Sequence, residues 1–206
     1  MKENYYNKYV NSLSECLAEM IVTNIDGQEI EQESSFLKLC NYSSSVQNSG
    51  LTQYFCGNGA SASFSDHMAL DWSKNANVSS ISFGSSALYS AIGNDLGFTK
   101  IFSEPIGWHA KRGDILVAIS SSGNSPNIIQ AIKTAREKEM SVITFTGLRP
   151  VNQVRGMGDL NFYIPARTYG TVECAHQVLL HIWIDKFMQV EEWSTSFYQN
   201  MCEVDN

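Results

Sequence analysis

Apolar residues follow a helical spacing near the start of the chain. Between residues 4 and 24 they recur every three or four positions, which predicts an amphipathic helix. These positions are Tyr6, Val10, Leu13, Leu17 and Met20. A sparser pattern predicts a second helix over residues 31–48, ended by the Asn48-Ser49-Gly50 sequence. Its apolar positions are Ile30, Phe36, Leu37 and Cys40.

After residue 50 the pattern changes to short apolar runs that end in Gly or Ser and alternate with helical stretches. The runs cover residues 52–56, 80–83, 114–120, 141–147 and 161–165. Strands separated by helices require crossover connections, so they predict a doubly wound α/β fold with a parallel sheet. A last helix is predicted over residues 172–190, with an apolar side formed by Val178, Leu179, Ile182 and Phe187.

This pattern indicates one domain over residues 1–206. It divides into N-terminal helices at 1–48, an α/β core at 50–190 and a weakly ordered tail at 191–206. With 206 residues, 43% of them hydrophobic, the chain is long enough to bury one sizeable core.

Charge and cysteine usage exclude several classes of partner. The formal net charge of -7 leaves no basic surface for the phosphates of a duplex, so we expect no direct nucleic-acid partner. The start, MKENYYNKYV, lacks the apolar core of a signal peptide, and no run approaches the roughly 20 apolar residues of a membrane span. Five cysteines without a C-x-x-C pair favour reduced thiols. We therefore expect a cytoplasmic protein that does not enter the membrane.

The turn after the third apolar run is rich in hydroxyl groups, from Ser120, Ser121, Ser122 and Ser125. Ser125 suits an N-cap and Pro126 a first helical residue, so backbone N–H groups should point into the turn. Ligands of parallel sheets bind at this carboxyl edge. The hydroxyls, the free N–H groups and the helix dipole predict an anion site, with phosphate as the usual occupant. The alternative is a well-capped helix with no ligand.

A second glycine-rich turn should lie at the same edge of the sheet. It follows the first apolar run and contains Asn58, Gly59 and Ser61. Two such turns could together hold a sugar phosphate. In the helix that follows, His67 and Asp71 are four residues apart and share a face, as a metal-binding or acid/base pair requires. The alternative is a solvated surface pair.

The last predicted helix carries a further polar interruption in an apolar pattern, formed by Glu173, His176 and His181. Either these residues belong to the same site, or they form an exposed stripe, or the histidine is a core residue with a backbone partner.

Three segments carry a resemblance to a known family. GNGASASFSDH, AIGNDLGF and RGDILVAISSSGNSPNIIQAIKTAREKEMSVITFTG resemble the sugar isomerase (SIS) domain, in its phosphoheptose isomerase branch. The resemblance runs from about residue 50 to residue 188. It implies a doubly wound three-layer sandwich around a five-stranded parallel sheet. It also implies a homotetramer with active sites between subunits and the N-terminal helices at an interface.

The resemblance implies an isomerase that converts sedoheptulose 7-phosphate into D-glycero-D-manno-heptose 7-phosphate through an enediol, toward the heptose of bacterial lipopolysaccharide or capsule. The residues that fall on the family's phosphate-binding serines are Ser120, Ser121, Ser122 and Ser125. Those that fall on its sugar-binding positions are Asn58, Gly59, Ser61, Asn94, Asp95 and Glu173.

The reactive positions also carry over by resemblance. Those that fall on the family's zinc ligands are His67, Asp71, Glu173 and His181. Among them, Asp71 would be the base and His181 the acid of the isomerisation. Two of the four differ from the family, which has glutamate at position 71 and glutamine at position 173.

Three further positions differ from the family: Ala60 for glycine, Phe64 for aspartate and Thr171 for arginine. The altered reactive end leaves two alternatives open. One is a non-catalytic SIS sensor or regulator that binds a protein partner such as a replication initiator. The other is an isomerase or sensor for a different sugar phosphate.

Overall fold

The computed structural model describes residues 4–194 of the chain. Within this range there are seven α-helices and seven β-strands. The helices are α1 Tyr5–Ala18, α2 Gln32–Ser49, α3 Ala60–Lys74, α4 Ser86–Asp95, α5 Ser103–His109, α6 Pro126–Glu137 and α7 Tyr169–Met188. The strands are β1 Ile21–Asn24, β2 Glu29–Ile30, β3 Gln53–Gly57, β4 Ser80–Ser82, β5 Ile115–Ser120, β6 Ser141–Gly147 and β7 Leu160–Ile164.

All the strands belong to one sheet, in the order β2-β1-β7-β6-β5-β3-β4. The run from β7 to β4 is parallel throughout, and its five strands are the five predicted from the apolar runs. Strands β3, β4 and β5 are each followed by one or two α-helices that return the chain to the next parallel strand. A loop with one 3-10 turn at Val154–Gly156 joins β6 to β7, and α7 follows β7. The predicted doubly wound α/β fold is confirmed, and the carboxyl ends of β3 and β5 lie side by side.

The sheet has two strands more than expected. The first helix was predicted over residues 4–24, but it is shorter. Helix α1 ends at Ala18, and residues 21–24 form β1, which pairs antiparallel with β7. The β-branched residues Ile21, Val22 and Thr23 favour this extended conformation. The side chain of Asn24 accepts hydrogen bonds from the backbone of Asp26 (3.0 Å) and Gln28 (2.9 Å), which closes a hairpin to β2.

The second predicted helix is confirmed as α2. Its first turn is capped by the Glu31 carboxylate, which accepts from the backbone N–H groups of Glu33 (3.0 Å) and Ser34 (2.7 Å). The same two hydrogen bonds lower the pKa of Glu31. At the other end Gly50 takes a left-handed conformation with φ 62°, as predicted for the end of this helix.

Helices cover both faces of the sheet, and side chains alternate between two cores. In β5, Ile115, Val117 and Ile119 face the core formed with α1, α2, α3 and α7. Leu116 and Ala118 face the core formed with α4, α5 and α6. This alternation is the period of two that a strand imposes on its side chains, and it makes the three-layer sandwich.

The cysteines of the described range are free thiols: Cys16, Cys40, Cys56 and Cys174. Cys56 lies in β3 and is buried, as predicted, and burial raises the pKa of its thiol. Cys202 and residues 195–206 of the predicted tail lie outside the described residues. No helix among residues 4–194 is long and apolar enough to span a membrane.

Candidate functional site

A cavity of about 200 Å³ opens at the carboxyl end of β5, against the first turns of α3 and α7. It is lined by Asn58, Ser61, Ile119, Ser120, Ser121, Ser122, Ser125, Tyr169 and Glu173. Seven of these nine residues were predicted as substrate-binding positions from the sequence. The lining holds four serine hydroxyls from the turn before α6 and one carboxylate, that of Glu173.

The hydroxyls of this serine turn are not consumed by capping the helix that follows. Helix α6 begins at Pro126, and its N-cap, Ser125, makes no side-chain capping bond. The Ser125 hydroxyl instead accepts a hydrogen bond from Ser120 Oγ at 3.3 Å. The Ser121 hydroxyl is buried, and the described residues offer it no partner. An unsatisfied buried hydroxyl is costly, so a ligand oxygen in the cavity would restore the missing hydrogen bond.

The backbone of the serine turn is fixed on three sides. Gly123 donates to Ser120 O at 2.9 Å and accepts from the N–H of Val154 at 2.9 Å. The N–H of Gly147, at the end of β6, donates to Ser121 O at 3.1 Å. Gly123 has φ 64°, and a Cβ built there would lie 1.9 Å from Asn152 Oδ1. The turn therefore depends on glycine at this position.

Replacing Gly123 with alanine is expected to lower the free energy of unfolding by about 2–4 kcal/mol, because the positive φ and the contact with Asn152 both penalise a Cβ. Asn152 cannot simply move away, since its side chain bonds Arg149 O (3.0 Å) and the N–H of Arg155 (2.9 Å). Urea denaturation measures the change. Gly156→Ala is the matched control, because a Cβ there meets nothing within 4 Å. Equal stability of the two variants would contradict this account of the turn.

The two turns at the sheet edge are tied together by a pair of asparagines. Asn58 Nδ2 donates to Asn127 Oδ1 at 3.0 Å, and Asn127 Nδ2 donates back to Asn58 Oδ1 at 2.8 Å. Asn127 Oδ1 also accepts from the N–H of Ile128 at 3.0 Å. Sequence reasoning missed Asn127, which fixes α6 against the first turn. Gly59, a predicted substrate position, does not line the cavity; it is the N-cap of α3, with φ 56°.

A second polar cluster joins α3 to α7. His67 Nε2 lies 3.2 Å from Asp71 Oδ2, and the ring centroids of His67 and His181 are 5.4 Å apart. One ligand atom from each of these three residues lies within 4.8 Å of the others. Two imidazoles and a carboxylate are a donor set that catalytic zinc sites use. The three side chains therefore fit a metal ion.

Glu173 does not belong to this cluster. Helix α7 is continuous from Tyr169, and Glu173 and His181 are eight positions apart on it, which separates them by about 12 Å along its axis. The Glu173 side chain lines the serine cavity instead. Its assignment as a metal ligand stays a prediction, and its placement agrees with a role beside the substrate.

Glu173 and His181 are part of a longer polar stripe on α7, of which the sequence predicted only these two residues. Gln177 and Asp185 complete the four-residue spacing, which places all four on one face of the helix. Gln177 Nε2 lies 2.8 Å from His181 Nε2. Burial raises the pKa of Asp185; the nearby charge of Asp71 adds to the rise and that of His181 opposes it.

His176 lies outside this stripe and is a core histidine. It is fully buried, with Nε2 3.1 Å from Thr146 O and its ring edge against Phe145. This is the backbone-bonded alternative that the sequence left open. Burial lowers the pKa of His176 from 6.5 to about 4, with the bond to Thr146 opposing the shift.

The burial of His176 makes stability depend on pH. Between the unfolded pKa of 6.5 and the folded value of about 4, only the unfolded chain gains this proton. Stability should therefore fall as the pH drops through this window, by about 3 kcal/mol in total. Urea denaturation of the wild type and His176→Asn between pH 7 and pH 4 tests this. The variant should lose less stability than the wild type; parallel curves would contradict the assignment.

Asn94 and Asp95 lie apart from both the cavity and the cluster within the described chain. They are the last residues of α4 and are exposed, and Asn94 Nδ2 donates to Asp95 Oδ1 at 2.7 Å. Neither lines the serine cavity. Their assignment to the sugar hydroxyls stays a prediction.

Comparison with known proteins agrees with this geometry. The sequence pattern of the SIS domain matches residues 8–147. The chain belongs to the SIS domain family. A phosphoheptose isomerase of Aromatoleum aromaticum is 36% identical over 139 residues, which cover 63% of this chain and 70% of that protein. The resemblance seen in the sequence is confirmed.

Solved structures of SIS domain proteins share the fold. The phosphoheptose isomerase of Neisseria gonorrhoeae superposes with a TM-score of 0.77 at 26% identity, over 90% of this chain and 96% of that one. A phosphoheptose isomerase from Francisella tularensis superposes with a TM-score of 0.77 at 24% identity, over 92% and 100%. At 24% identity, the second match supports only the fold of this chain.

Proposed function

We propose that this SIS domain protein is a sugar-phosphate isomerase that converts sedoheptulose 7-phosphate into D-glycero-D-manno-heptose 7-phosphate. The observation that carries the proposal is the buried hydroxyl of Ser121, which lies in a cavity at the start of a helix and has no partner among residues 4–194. Backbone N–H groups, the helix dipole and four serine hydroxyls suit a phosphate ester there. The relatives named phosphoheptose isomerase support the same reaction.

The distance between the cavity and the His67–Asp71–His181 cluster suits a long sugar. The cluster lies about 9 Å beyond Ser61 along α3 and about 12 Å beyond Glu173 along α7. Six carbon–carbon bonds of about 1.5 Å give an open seven-carbon chain a reach of at most about 9 Å. The phosphate adds its own length. A heptose phosphate held by its phosphate in the serine turn therefore brings its first carbons toward the cluster.

The cluster contains the groups that an aldose–ketose isomerisation needs. Asp71 takes the proton from C1, the C1–H electron pair forms the C1–C2 double bond, and the C2 oxygen receives a proton from His181. The enediol returns to an aldose when its O1 proton is removed and C2 is protonated. General acid–base groups typically contribute 10²–10⁴-fold to such a step. A zinc ion held by His67, Asp71 and His181 would supply charge stabilisation at the carbonyl oxygen in place of the His181 proton.

The serine turn contributes by position rather than by proton transfer. Its hydroxyls fix the phosphate while the reacting carbons lie at the other end of the substrate, which turns binding energy into alignment. Glu173 is the exception in the lining, because its carboxylate would face a phosphorylated ligand. Among residues 4–194, no lysine or arginine lines the cavity, so within this part of the chain the attraction comes from neutral donors.

We also propose that the protein works as a homotetramer. Helix α1 leaves Tyr5, Tyr6 and Val10 exposed, an apolar face that a second copy would cover. Asn94 and Asp95 lie away from the cavity of their own chain, so a neighbouring copy would bring them to it. Free thiols suit the cytoplasm, where the product would serve the synthesis of surface heptose.

The regulatory alternative is not favoured. A non-catalytic sensor needs the phosphate cavity but has no use for two histidines and an aspartate gathered within 4.8 Å. An isomerase for a sugar phosphate of another length would still use the serine turn. The substrate assay separates that alternative from a sedoheptulose 7-phosphate isomerase.

The test is to incubate the purified protein with sedoheptulose 7-phosphate and follow the aldose product by anion-exchange chromatography. The proposal expects turnover that a chelator abolishes and zinc restores. Fructose 6-phosphate serves as the shorter comparison substrate. Binding of the heptose phosphate without any turnover in the presence of zinc would instead indicate a sensor.

A further inference from the structure

The amide pair formed by Asn58 and Asn127 has two possible orientations, and one backbone group selects between them. Asn58 Nδ2 donates to Asn127 Oδ1 at 3.0 Å, and Asn127 Nδ2 donates to Asn58 Oδ1 at 2.8 Å. A carboxamide accepts through its oxygen and donates through its nitrogen, so the pair would form equally well if both amides were turned over together. The pair by itself therefore does not determine where the Asn58 nitrogen lies.

The backbone N–H of Ile128 removes this ambiguity. It donates to the Asn127 side chain at 3.0 Å, and of the two amide atoms only the oxygen can accept this bond. With the Asn127 oxygen fixed in this way, the atom of Asn58 that faces it must be the nitrogen. Asn58 Nδ2 thus lies beside the first turn of α6, because it shares the Asn127 oxygen with the Ile128 N–H.

The two asparagines differ in their access to the cavity. Asn127 is 2% exposed and does not line the cavity, whereas Asn58 is half-buried and does. Asn58 Nδ2 carries two hydrogens, and its bond to Asn127 uses one of them. No acceptor among residues 4–194 takes the second. An N–H donor is therefore left over on a side chain of the cavity wall.

A phosphate in this cavity depends on neutral donors such as this N–H. The one charged side chain that the described residues bring to the cavity wall is the carboxylate of Glu173. A carbonyl oxygen in place of the Asn58 nitrogen would add another acceptor that repels a phosphate ester, whereas an amide N–H binds it. The orientation of the Asn58 amide therefore affects which ligand the cavity accepts.

We propose that Asn127 is a positioning residue of the phosphate site. It holds the Asn58 amide so that an N–H, and not the carbonyl oxygen, is presented to a phosphate oxygen bound in the serine turn. The inference rests on the proposed function for the phosphorylated ligand. It goes beyond that function because Asn127 does not line the cavity and acts on the ligand through Asn58.

Calorimetric titration of the full-length protein with inorganic phosphate tests the proposal in a double-mutant cycle. Asn58→Ala removes the N–H and should weaken phosphate binding about tenfold or more. Asn127→Ala frees the Asn58 amide to turn and should weaken binding about threefold to tenfold. In the Asn58→Ala background, Asn127→Ala should change the affinity by less than about twofold, because the group on which it acts is already gone.

A second variant at position 127 covers the case in which alanine unfolds the protein. Asn127→Asp keeps the size of the side chain and an acceptor for the Ile128 N–H, and an acidic residue suits the first turn of a helix. Its second oxygen would face Asn58 Oδ1, so the orientation of Asn58 is lost. It should therefore weaken phosphate binding more in the wild-type background than in the Asn58→Ala background. The added charge acts in both backgrounds and cancels from the comparison.

Asn161→Ala is the matched control for a loss of stability. Asn161 is also a buried asparagine with side-chain hydrogen bonds, but it lies in β7 and does not line the cavity. This variant should lower the free energy of unfolding and leave phosphate affinity unchanged.

The kinetics with sedoheptulose 7-phosphate give an independent readout. A general disturbance of the site would lower kcat, whereas a residue that positions a phosphate donor should affect binding. Both variants at position 127 should raise KM and leave kcat within about threefold of the wild type.

Three results would overturn the proposal. Phosphate affinity could be unchanged in both variants at position 127, which would show that Asn58 needs no partner. It could be unchanged in Asn58→Ala, or phosphate could fail to bind the wild type, which would show that Asn58 donates nothing to this ligand. The losses could multiply in the double variant, which would show that Asn127 acts by another route. The predicted cycle without any turnover would contradict the isomerase proposal alone.

Discussion

Asp71→Asn is expected to lower turnover of sedoheptulose 7-phosphate by about 10³-fold or more, because an amide cannot accept the C1 proton. Asp71 is half-buried beside His67, at 3.2 Å, so the exchange of one oxygen for N–H₂ also disturbs this pair. Initial rates of aldose formation at saturating substrate measure the effect. The variant should still bind the substrate's phosphate, since Asp71 does not line the serine cavity.

Two companion variants make this prediction specific. Asp66→Asn changes an exposed aspartate of the same helix and should leave turnover within about twofold of the wild type. Asp71→Glu restores the longer side chain of the family and should retain activity or increase it. Exchange of substrate hydrogen with D₂O gives a second readout. An Asp71→Asn protein that keeps most of its turnover would move the base to another residue.

Replacing both Ser121 and Ser122 with alanine is expected to raise KM about 10²-fold. Hydrogen bonds to a charged group contribute about 1.5–3 kcal/mol each, and the phosphate would lose two of them. Both serines line the cavity, and the Ser121 hydroxyl has no partner among the described residues, so its removal leaves no protein group unsatisfied. Ser122 Oγ accepts from the exposed N–H of Asn124 at 3.3 Å, and water can replace that bond. The fold should therefore tolerate the change, and the effect should fall on binding.

The prediction for the Ser121 and Ser122 double variant is tested by measuring KM and the zinc content together. KM should rise while the zinc content, measured by atomic emission, stays that of the wild type. Ser63→Ala, at an exposed position of α3, is the matched control and should leave KM unchanged. A normal KM in the double variant would show that the phosphate binds elsewhere.

The parallel sheet could be predicted because its signals are local. Each apolar run between helical stretches predicts one strand. Because the predicted strands are parallel, their carboxyl ends are expected at the same edge of the sheet. The serine turn was predicted for the same reason, since Ser125 and Pro126 mark the start of α6 by themselves. The hairpin of β1 and β2 was missed because the apolar spacing before it continues past Ala18, although Asp26-Gly27 is a turn signal.

The residues missed at the site are those whose role depends on packing between elements. Asn127 follows a proline at the start of a helix and gives no signal until Asn58 is placed opposite it. His176 and His181 are five residues apart on α7, and only the packing of that helix decides that His176 enters the core and His181 the cluster. The spacing of Gln177 from Glu173 and His181 was visible in the sequence, but the contact of its side-chain amide with His181 was not.

The central claim is that one substrate joins the serine turn to the His67–Asp71–His181 cluster. A crystal structure of the protein with sedoheptulose 7-phosphate tests it most directly. We predict phosphate oxygens within hydrogen-bond distance of Ser121 Oγ and of the first N–H groups of α6, with C1 and C2 facing Asp71 and His181. Phosphate density outside the turn, or reacting carbons directed away from the two helices, would contradict the account.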